Sequence, residues 1–222
     1  QMAENVKNQL IPMLIQYRQA FAHFKMDIGK STFEHHIEVI GTPVLPKQRP
    51  FNKNTLPLVK DGIENLVLYD IVSRGKLHSH YSNFVPIMKP NGSGIRLCVD
   101  TINLNKHIKV SDKIVQMSSP HRILSKFFNK KHIWCLDLAN AYFHLQATEY
   151  TKKYYGVYSY KNQDSLGFNV AIQGEKSSAW SFCHTQAKMF GHLHDNVDFY
   201  LDDIILCADT LDEMFQVFEK VL

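Results

Sequence analysis

The sequence has few cysteines, and their arrangement excludes two common kinds of small domain. Only four occur among 222 residues, at positions 98, 135, 183 and 207, and they include no Cys-x-x-Cys pair. A disulfide-stapled secreted domain and a structural zinc site both need closely spaced groups. The twelve histidines include the pairs His78 with His80 and His192 with His194, but these also lack zinc-site spacing. We therefore expect buried, reduced thiols, and histidines that lie at the surface or face a template.

The chain also lacks long apolar runs, internal repeats and linkers rich in Gly or Ser. No run approaches the roughly 18 apolar residues of a membrane helix, and the first residues lack a signal pattern. The expectation is an intracellular protein without a membrane partner. A hydrophobic content of 45% supports one sizeable core, or two lobes that share a sheet. The formal net charge of +4 is permissive for a nucleic-acid partner without predicting one.

Two short apolar runs flank a pair of adjacent carboxylates in the segment NVDFYLDDIILCAD. The aromatic and aliphatic residues on each side predict a hairpin with Asp202 and Asp203 at its tip. Adjacent carboxylates resist ionisation unless a cation joins them, so a divalent ion would favour this arrangement. The alternative is an ordinary surface turn, in which Asp is common without any metal.

A second segment, HIWCLDLANAYFHLQ, ends another apolar run on a carboxylate, Asp137. It predicts a buried strand that brings Asp137 to the edge of the sheet that carries Asp202 and Asp203. Mg²⁺ is the expected ion for such an oxygen site, held by few carboxylates and completed by substrate phosphates.

Other patterns outline the remaining elements. The apolar spacing near the start predicts an amphipathic helix that Pro12 must open or kink, and a second helix begins near Leu56 after a connector over 41–57. The runs FVPIM and IRLCVD, joined by KPNGSG, predict a hairpin, and 153–160 with FNVAI predicts another. Lys89 and Arg96, one on each arm of the first hairpin, suit a phosphate clamp, although solvated surface charges are the alternative reading. After Gln173 and Gly174 we expect a long helix to about His194, with unpaired amides at its start.

Taken together, these segments resemble reverse transcriptases. LDLANAYFHL, with Asp137, and YLDD, with Asp202 and Asp203, are similar to the two acidic motifs of that family, in the family's order. VAIQGEKSSAWSF lies between them, where the family places its Gln-Gly helix start. Upstream, IMKPNGSGIRLCVDTINLNKHI is similar to the fingers hairpin, and DIGKSTFEHHIEVIGTPV to the lead-in of gypsy-type retrotransposon polymerases. The resemblance runs from about Asp27 to the end.

The resemblance implies an α+β fold with the fingers and palm of a right-hand polymerase, an antiparallel palm sheet packed on helices, and no thumb. It implies an N-terminal helix and lead-in at 1–45, fingers at about 46–117 and 147–171, and palm at about 118–146 and 172–222. Relatives continue into a thumb and a ribonuclease H domain, so we expect a piece of a retroelement polyprotein, gypsy-type or retrovirus-like, in the cytoplasm or a virus-like particle.

The implied activity is RNA-directed DNA polymerisation by two-metal nucleotidyl transfer. Catalytic and metal-binding roles fall to Asp137, Asp202 and Asp203, with two Mg²⁺ ions or Mn²⁺ in their place. Nucleotide-binding roles fall to five residues: Lys89 and Arg96 at the triphosphate, Tyr142 under the sugar, and Gln173 with Gly174 beside the nucleotide. Partners would be an RNA or DNA template with its primer, and deoxynucleoside triphosphates.

Two other functions stay open. One is a degenerate, inactive relative that serves as a nucleic-acid-binding or structural subunit, and the other is a protein–protein module built on the same sheet. Departures from the family pattern include Ala179 in place of a proline, Trp180 in place of a small residue, Ile102 in place of a basic residue and Asn140 in place of an acidic one. None of these is a metal-binding carboxylate.

Overall fold

The computed structural model describes residues 2–24, 26–90, 94–109, 119–161 and 164–222. Helices and strands are mixed along the chain, which confirms the expected α+β class. Internal contacts divide the chain into two compact units. Unit 1 comprises Gln1–Ile28, Val115–Ala141 and Cys183–Leu222, and unit 2 comprises Gly29–Ile114 and Tyr142–Phe182. The predicted fingers and palm boundaries stay a prediction.

Unit 1 is built on a three-stranded antiparallel sheet in the order β5-β10-β9. Its strands are β5 (His132–Asp137), β9 (Val197–Tyr200) and β10 (Asp203–Ala208). Its helices are α1 (Met2–Gln16), α4 (Pro120–Phe127), α7 (Leu211–Val221) and the later part of α6 (Ser178–Phe190). Short 3₁₀ turns cover Arg18–Ala20 and Gly191–Leu193.

One face of this sheet carries the core of unit 1. Trp134 from β5 lies edge-on to Phe215 and Phe218 of α7, with ring centroids 5.3 Å apart in both pairs. The buried residues of the same cluster are Val197, Ile204, Leu206, Ala208, Met214, Val217 and Phe218. Apolar side chains of α1, including Leu10, Met13 and Leu14, pack against it. The hydrophobic effect therefore fixes which face of each strand points inward.

The opposite face of the sheet is covered only in part. Ile123 and Phe127 of α4 pack with Ile205 and Cys207 of β10. Along β5, inward and exposed residues alternate, and the exposed series ends at Asp137. The prediction of a buried strand here is therefore wrong in one respect: period-two alternation leaves one face of β5 open to solvent.

Unit 2 contains a five-stranded sheet in the order β2-β8-β7-β3-β4. The strands are β2 (Val72–Arg74), β3 (Tyr81–Met88), β4 (Ile95–Asp100), β7 (Gly156–Tyr158) and β8 (Ser165–Phe168). Strands β3 and β7 pair in parallel, and the other neighbours are antiparallel. Helix α2 (Leu56–Leu68) packs on β2 and β4.

Short elements complete unit 2. Strands β1 (Glu34–His35) and β6 (Gln146–Ala147) form a parallel pair. Helices α3 (Ile102–Asn105) and α5 (Glu149–Lys152) are single turns, the residues Ala141–His144 form a 3₁₀ turn, and α6 begins in this unit. Within the residues that the structure describes, no helix has the length and apolar character needed to cross a bilayer.

Several sequence expectations need adjustment. Helix α1 runs through Pro12, so it does not open there, and the alternative of a kink at Pro12 stays a prediction. In the second hairpin, the strand begins at Ser165, so Leu166 and Gly167 belong to it and the expected run FNVAI is shifted. The Asn-Gly-Ser tip of the first hairpin, 91–93, and Asn162 with Gln163 of the second lie outside the described residues.

The expectations for cysteines and histidines are also corrected. All four thiols are free, but only Cys207 is buried; Cys98 and Cys183 are half-buried and Cys135 is exposed. Conversely, His35 and His80 are completely buried rather than at the surface. Composition could not foresee this, because burial of a histidine depends on partners distant in sequence.

Candidate functional site

A facing pair of carboxylates marks one end of the sheet in unit 1. Asp137 is the last residue of β5 and lies opposite Asp203, the first residue of β10, in the antiparallel register. Residues opposite each other in such a pair project from the same face, with Cβ atoms about 5 Å apart. Asp137 is exposed and Asp203 is half-buried. The strand register thus brings two of the three predicted metal ligands together.

Asp202 lies in the tight turn between β9 and β10. It is exposed, and its backbone oxygen accepts a hydrogen bond from the Leu138 amide at 2.9 Å. The preceding residue, Leu201, has a left-handed φ of 54°, which is unusual for a side chain of this size. Gln186 of α6 donates from Nε2 to the Leu201 oxygen at 3.1 Å. The backbone around Asp202 is therefore tied to β5 on one side and to α6 on the other.

The electrostatics of this end fit a cation. Cys135 shares the exposed face of β5 with Asp137, and its Sγ lies 3.6 Å from Asp203 Oδ1. Burial of the sulfur, followed by the negative charges of Asp203 and Asp137, raises the pKa of the Cys135 thiol. The two carboxylates therefore act on one small volume, and carboxylate oxygens are the donors that Mg²⁺ takes. Among the described residues, however, no group of three or more His, Cys, Asp or Glu side chains is arranged to hold a metal ion.

In unit 2, the hairpin of β3 and β4 carries the two predicted clamp residues. Arg96 lies opposite Ile87, and the Lys89 amide donates to the Gly94 oxygen at 2.9 Å, which continues the pairing. Since side chains alternate along a strand, Lys89 and Arg96 project from the same face of the hairpin. Arg96 is exposed and Lys89 is half-buried. The hairpin can present both cations to one anion.

Tyr142 belongs to the 3₁₀ turn Ala141–His144. It is half-buried, and its ring packs on Phe182 of α6 with centroids 5.4 Å apart. The tight turn after β5 was expected from the sequence. The contact with the Phe182 ring holds the Tyr142 ring against α6. Its role beside a sugar stays a prediction.

The turn at 173–176 carries the remaining two candidates. Gln173 is exposed, and Gly174 has a left-handed φ of 92°, a conformation that favours glycine. A Cβ on Gly174 would meet only Thr101 Oγ at 3.8 Å, so the backbone angle rather than crowding calls for glycine.

Three of the amides that follow Gly174, where the sequence predicts unpaired ones, have hydrogen-bond acceptors. Ser177 N donates to the carboxylate oxygen Oε1 of Glu175 at 2.7 Å, and Lys176 N donates to Asn105 Oδ1 at 2.9 Å. Ser178 N donates to the backbone oxygen of Glu175 at 3.2 Å. The expectation is therefore wrong for residues 176–178, because the Glu175 carboxylate, the Asn105 side chain and the Glu175 backbone each supply an acceptor. An acidic side chain at this place is favourable for orphan amides and for the helix dipole.

The structure thus groups the predicted residues in two sets. Asp137, Asp202 and Asp203 belong to unit 1, and the five nucleotide-binding candidates belong to unit 2. Sequence reasoning missed Glu175, which belongs to the turn at 173–176, and His35 and Asn105, which hydrogen-bond to residues of that turn. The sequence offered a signal for two of them only through their neighbours: Glu175 directly follows Gln173 and Gly174, and Asn105 lies in the segment IMKPNGSGIRLCVDTINLNKHI.

Comparison with curated proteins finds retroviral polyproteins. The chain is 25% identical over 222 residues to the Pro-Pol polyprotein of simian foamy virus type 1, covering 97% of this chain and 18% of that protein. It is 27% identical over 223 residues to the Pro-Pol polyprotein of simian foamy virus type 3 (strain LK3), with the same coverage of 97% and 18%. The chain therefore corresponds to less than a fifth of these relatives. No family model matches it.

Comparison with solved structures identifies the fold. The crystal structure of native prototype foamy virus protease–reverse transcriptase matches with a TM-score of 0.87 at 24% identity, covering 98% of this chain and 29% of that one. Foamy viral protease–reverse transcriptase in complex with an RNA/DNA hybrid also gives a TM-score of 0.87, at 19% identity and the same 98% and 29% coverage. The chain has the fold of one part of that enzyme.

Proposed function

We propose that this chain is the part of an RNA-directed DNA polymerase that binds the two metal ions and the incoming nucleotide. The observation that carries the proposal is the register of β5 and β10, which sets Asp137 opposite Asp203 with Asp202 in the adjoining turn. Relatedness to foamy virus Pro-Pol polyproteins supports a retrovirus-like element, and the gypsy-type origin is the other prediction that the sequence makes.

In this proposal, Asp137 and Asp202 are the principal ligands of two Mg²⁺ ions, or of Mn²⁺, and Asp203 tunes the charge of the site. When bound, the ions supply activation of a primer 3′-hydroxyl and neutralisation of the triphosphate. The protein side chains contribute to catalysis by positioning the reactants, which provides much of the rate acceleration in phosphoryl transfer. The hydrogen bonds on the Leu201 and Asp202 oxygens hold the acidic turn for that purpose.

The nucleotide-binding residues would divide the substrate between them. Lys89 and Arg96 face one side of their hairpin and suit the triphosphate, Arg as a planar fork and Lys as a point charge. Tyr142, backed by Phe182, would exclude a 2′-hydroxyl and so select deoxynucleotides. Gln173 and Gly174 would touch the sugar and phosphates.

The template and primer would be an RNA/DNA hybrid or duplex DNA. Foamy viral protease–reverse transcriptases of the same fold have been solved in complex with an RNA/DNA hybrid and with double-stranded DNA. The rest of a polyprotein, including thumb and ribonuclease H regions, would be a further partner.

The test is incorporation of dTTP on poly(rA) primed with oligo(dT) in the presence of Mg²⁺. The wild-type chain is compared with Asp202→Asn and with Asp212→Asn, an exposed carboxylate of the same unit in the first turn of α7. We expect Asp202→Asn to lower incorporation by at least about 100-fold, because a neutral amide is a poorer metal ligand, and Asp212→Asn to leave it within about twofold.

Two results would contradict the proposal. One is full activity of Asp202→Asn. The other is no incorporation by the wild-type chain, with Mg²⁺ or with Mn²⁺, although it binds the primed template in a filter or anisotropy assay. The second result would support the degenerate nucleic-acid-binding subunit.

A further inference from the structure

A network of buried polar side chains lies beneath the turn at 173–176 in unit 2. His35 and Glu175 are 0% and 3% exposed, and Tyr155 and Ser178 are also fully buried. His35 Nε2 lies 2.9 Å from Glu175 Oε2 and 2.8 Å from the Tyr155 hydroxyl, and His35 Nδ1 lies 2.8 Å from Ser181 Oγ. Burying a carboxylate destabilises a fold unless hydrogen bonds compensate for its lost hydration. The presence of Glu175 in this network therefore calls for a structural or functional reason.

The Glu175 carboxylate is satisfied at both oxygens. Oε1 accepts from the backbone amide and the hydroxyl of Ser177, at 2.7 and 2.8 Å. Oε2 accepts from the hydroxyls of Ser178 at 2.8 Å and Tyr155 at 3.2 Å, and lies beside His35. One side chain therefore joins the start of α6 to strand β1 and to Tyr155.

The turn is held from a second direction as well. Gly174 O accepts from Thr101 Oγ at 2.8 Å and from Asn105 Nδ2 at 2.9 Å, while Asn105 Oδ1 accepts from Lys176 N at 2.9 Å. The backbone on both sides of Glu175 is thus fixed, with the Gln173 side chain exposed beside it. Six side chains therefore hydrogen-bond to one short turn that bears both Gln173 and Gly174, namely His35, Thr101, Asn105, Tyr155, Ser177 and Ser178.

We propose that Glu175 and His35 are positioning residues that hold the turn at 173–176 in the conformation that binds the incoming deoxynucleoside triphosphate. The inference rests on the proposed polymerase function, and it deepens it by naming what sets nucleotide affinity. Neither residue touches the nucleotide; both act through the backbone of Gln173 and Gly174. A carboxylate is needed because the site supplies more hydrogen-bond donors than the single acceptor oxygen of an amide can take.

The test variant is Glu175→Gln, which keeps the shape of the side chain and removes one acceptor. The matched control is Glu38→Gln, at an exposed glutamate of the same unit whose carboxylate accepts a hydrogen bond from the Lys109 ammonium at 3.2 Å. Two quantities are measured: the KM for dTTP against kcat in primer extension, and hydrogen–deuterium exchange of a peptide covering 173–178 in the free protein. The dissociation constant for the primed template is the reference.

We expect Glu175→Gln to raise the KM for dTTP by about tenfold and to speed exchange over 173–178, because a buried hydrogen-bonded charge is lost. The dissociation constant of Glu175→Gln for the primed template should stay within about twofold of wild type. The control variant should stay within about twofold of wild type in every quantity measured. Tyr155→Phe, which removes only the hydroxyl, should give a smaller shift in the same direction. Tyr155→Phe also tests the proposal if Glu175→Gln does not fold.

The inference is overturned if 173–178 exchanges at the wild-type rate in both variants, or if exchange rises while the KM for dTTP does not. Failure of the proposed function has a different signature, namely absence of incorporation by the wild-type chain. In that case the exchange rates still decide whether Glu175 holds the turn.

Discussion

At the scale of single residues, Gly156 is a position where the backbone of a neighbouring segment leaves no room for a side chain. A Cβ there would lie 2.5 Å from the His80 backbone oxygen and 2.7 Å from His78 Cβ. Because one of these atoms is backbone, strands β3 and β7 would have to separate to admit it. We expect Gly156→Ala to lower the free energy of unfolding by on the order of 3 kcal/mol, measured by urea denaturation.

The control for this substitution is Gly191→Ala. Its added Cβ would meet no heavy atom within 4 Å, so only small backbone effects are expected. Equal midpoints for the two variants would mean that the strands yield without cost, contrary to the close packing seen here.

His80 makes the stability of the fold depend on pH. Burial, with a smaller contribution from the charge of His107, lowers the pKa of His80 to about 4. The unfolded chain, with an ordinary histidine pKa near 6.5, binds this proton first, so stability is complete above about pH 6.5 and falls as the pH drops toward 4. From pH 7 to pH 5, this one group should remove about 2 kcal/mol from the free energy of unfolding.

The measurement compares unfolding at both pH values for wild type, His80→Gln and His36→Gln, where His36 is exposed. His80→Gln should lose about 2 kcal/mol less on acidification, whereas His36→Gln should follow wild type. An identical pH dependence in His80→Gln would show that another group is responsible.

At the scale of elements, helix α7 depends on a defined cap. Thr210 accepts a hydrogen bond from Glu213 N at 3.2 Å, and Glu213 Oε2 accepts one from Asp209 N at 2.9 Å. The first bond satisfies an amide that the helix itself leaves unpaired, and the second ties the Glu213 side chain to the residue before the cap. Since α7 covers the core of unit 1, loss of the cap is felt by the whole unit.

We expect Thr210→Ala to reduce the free energy of unfolding by about 1 kcal/mol and Thr210→Ser to restore most of it, because serine keeps the accepting oxygen. Thermal unfolding followed by circular dichroism measures both. Equal losses in the two variants would point to the methyl group instead of the cap.

The edge of the sheet in unit 1 is protected by side chains. Lys126 Nζ donates to Val197 O at 3.0 Å, Asp198 Oδ1 accepts from Phe199 N at 2.9 Å, and Gln186 Nε2 donates to Leu201 O at 3.1 Å. The first two bonds occupy backbone groups of β9 that an edge strand otherwise offers to another chain, and the third holds the turn that follows β9. The acidic turn thus sits at the end of an edge strand whose pairing with further strands is discouraged.

Several helices and hairpins of this fold could be predicted from the sequence, whereas contacts between distant residues could not. The hairpin around Asp202 and Asp203, helix α2 and the first hairpin of unit 2 were predictable, since each has a local pattern of apolar residues and turn residues. The register that sets Asp137 opposite Asp203 was expected only as convergence at one edge. The bonds of Glu175 to His35 were not predictable, because the two residues are 140 positions apart and neither belongs to a periodic pattern.

At the scale of the whole molecule, charge is the property that bears on template binding. The chain has 25 Lys and Arg against 21 Asp and Glu, a modest formal excess of +4. Affinity for a primed template in the proposed function must therefore come from local contacts between basic side chains and phosphates. Such contacts release counterions and carry no sequence information.

We expect the logarithm of the association constant to fall linearly with the logarithm of the salt concentration, with a slope steeper than about −3. Fluorescence anisotropy with a labelled RNA/DNA hybrid, from about 50 to 200 mM KCl, should then show a loss of affinity of about 50-fold or more. A hybrid of scrambled sequence should bind within about threefold, because phosphates are the same in every sequence. A slope near zero, or discrimination between the two sequences by more than tenfold, would contradict backbone binding and favour the protein–protein module over a polymerase.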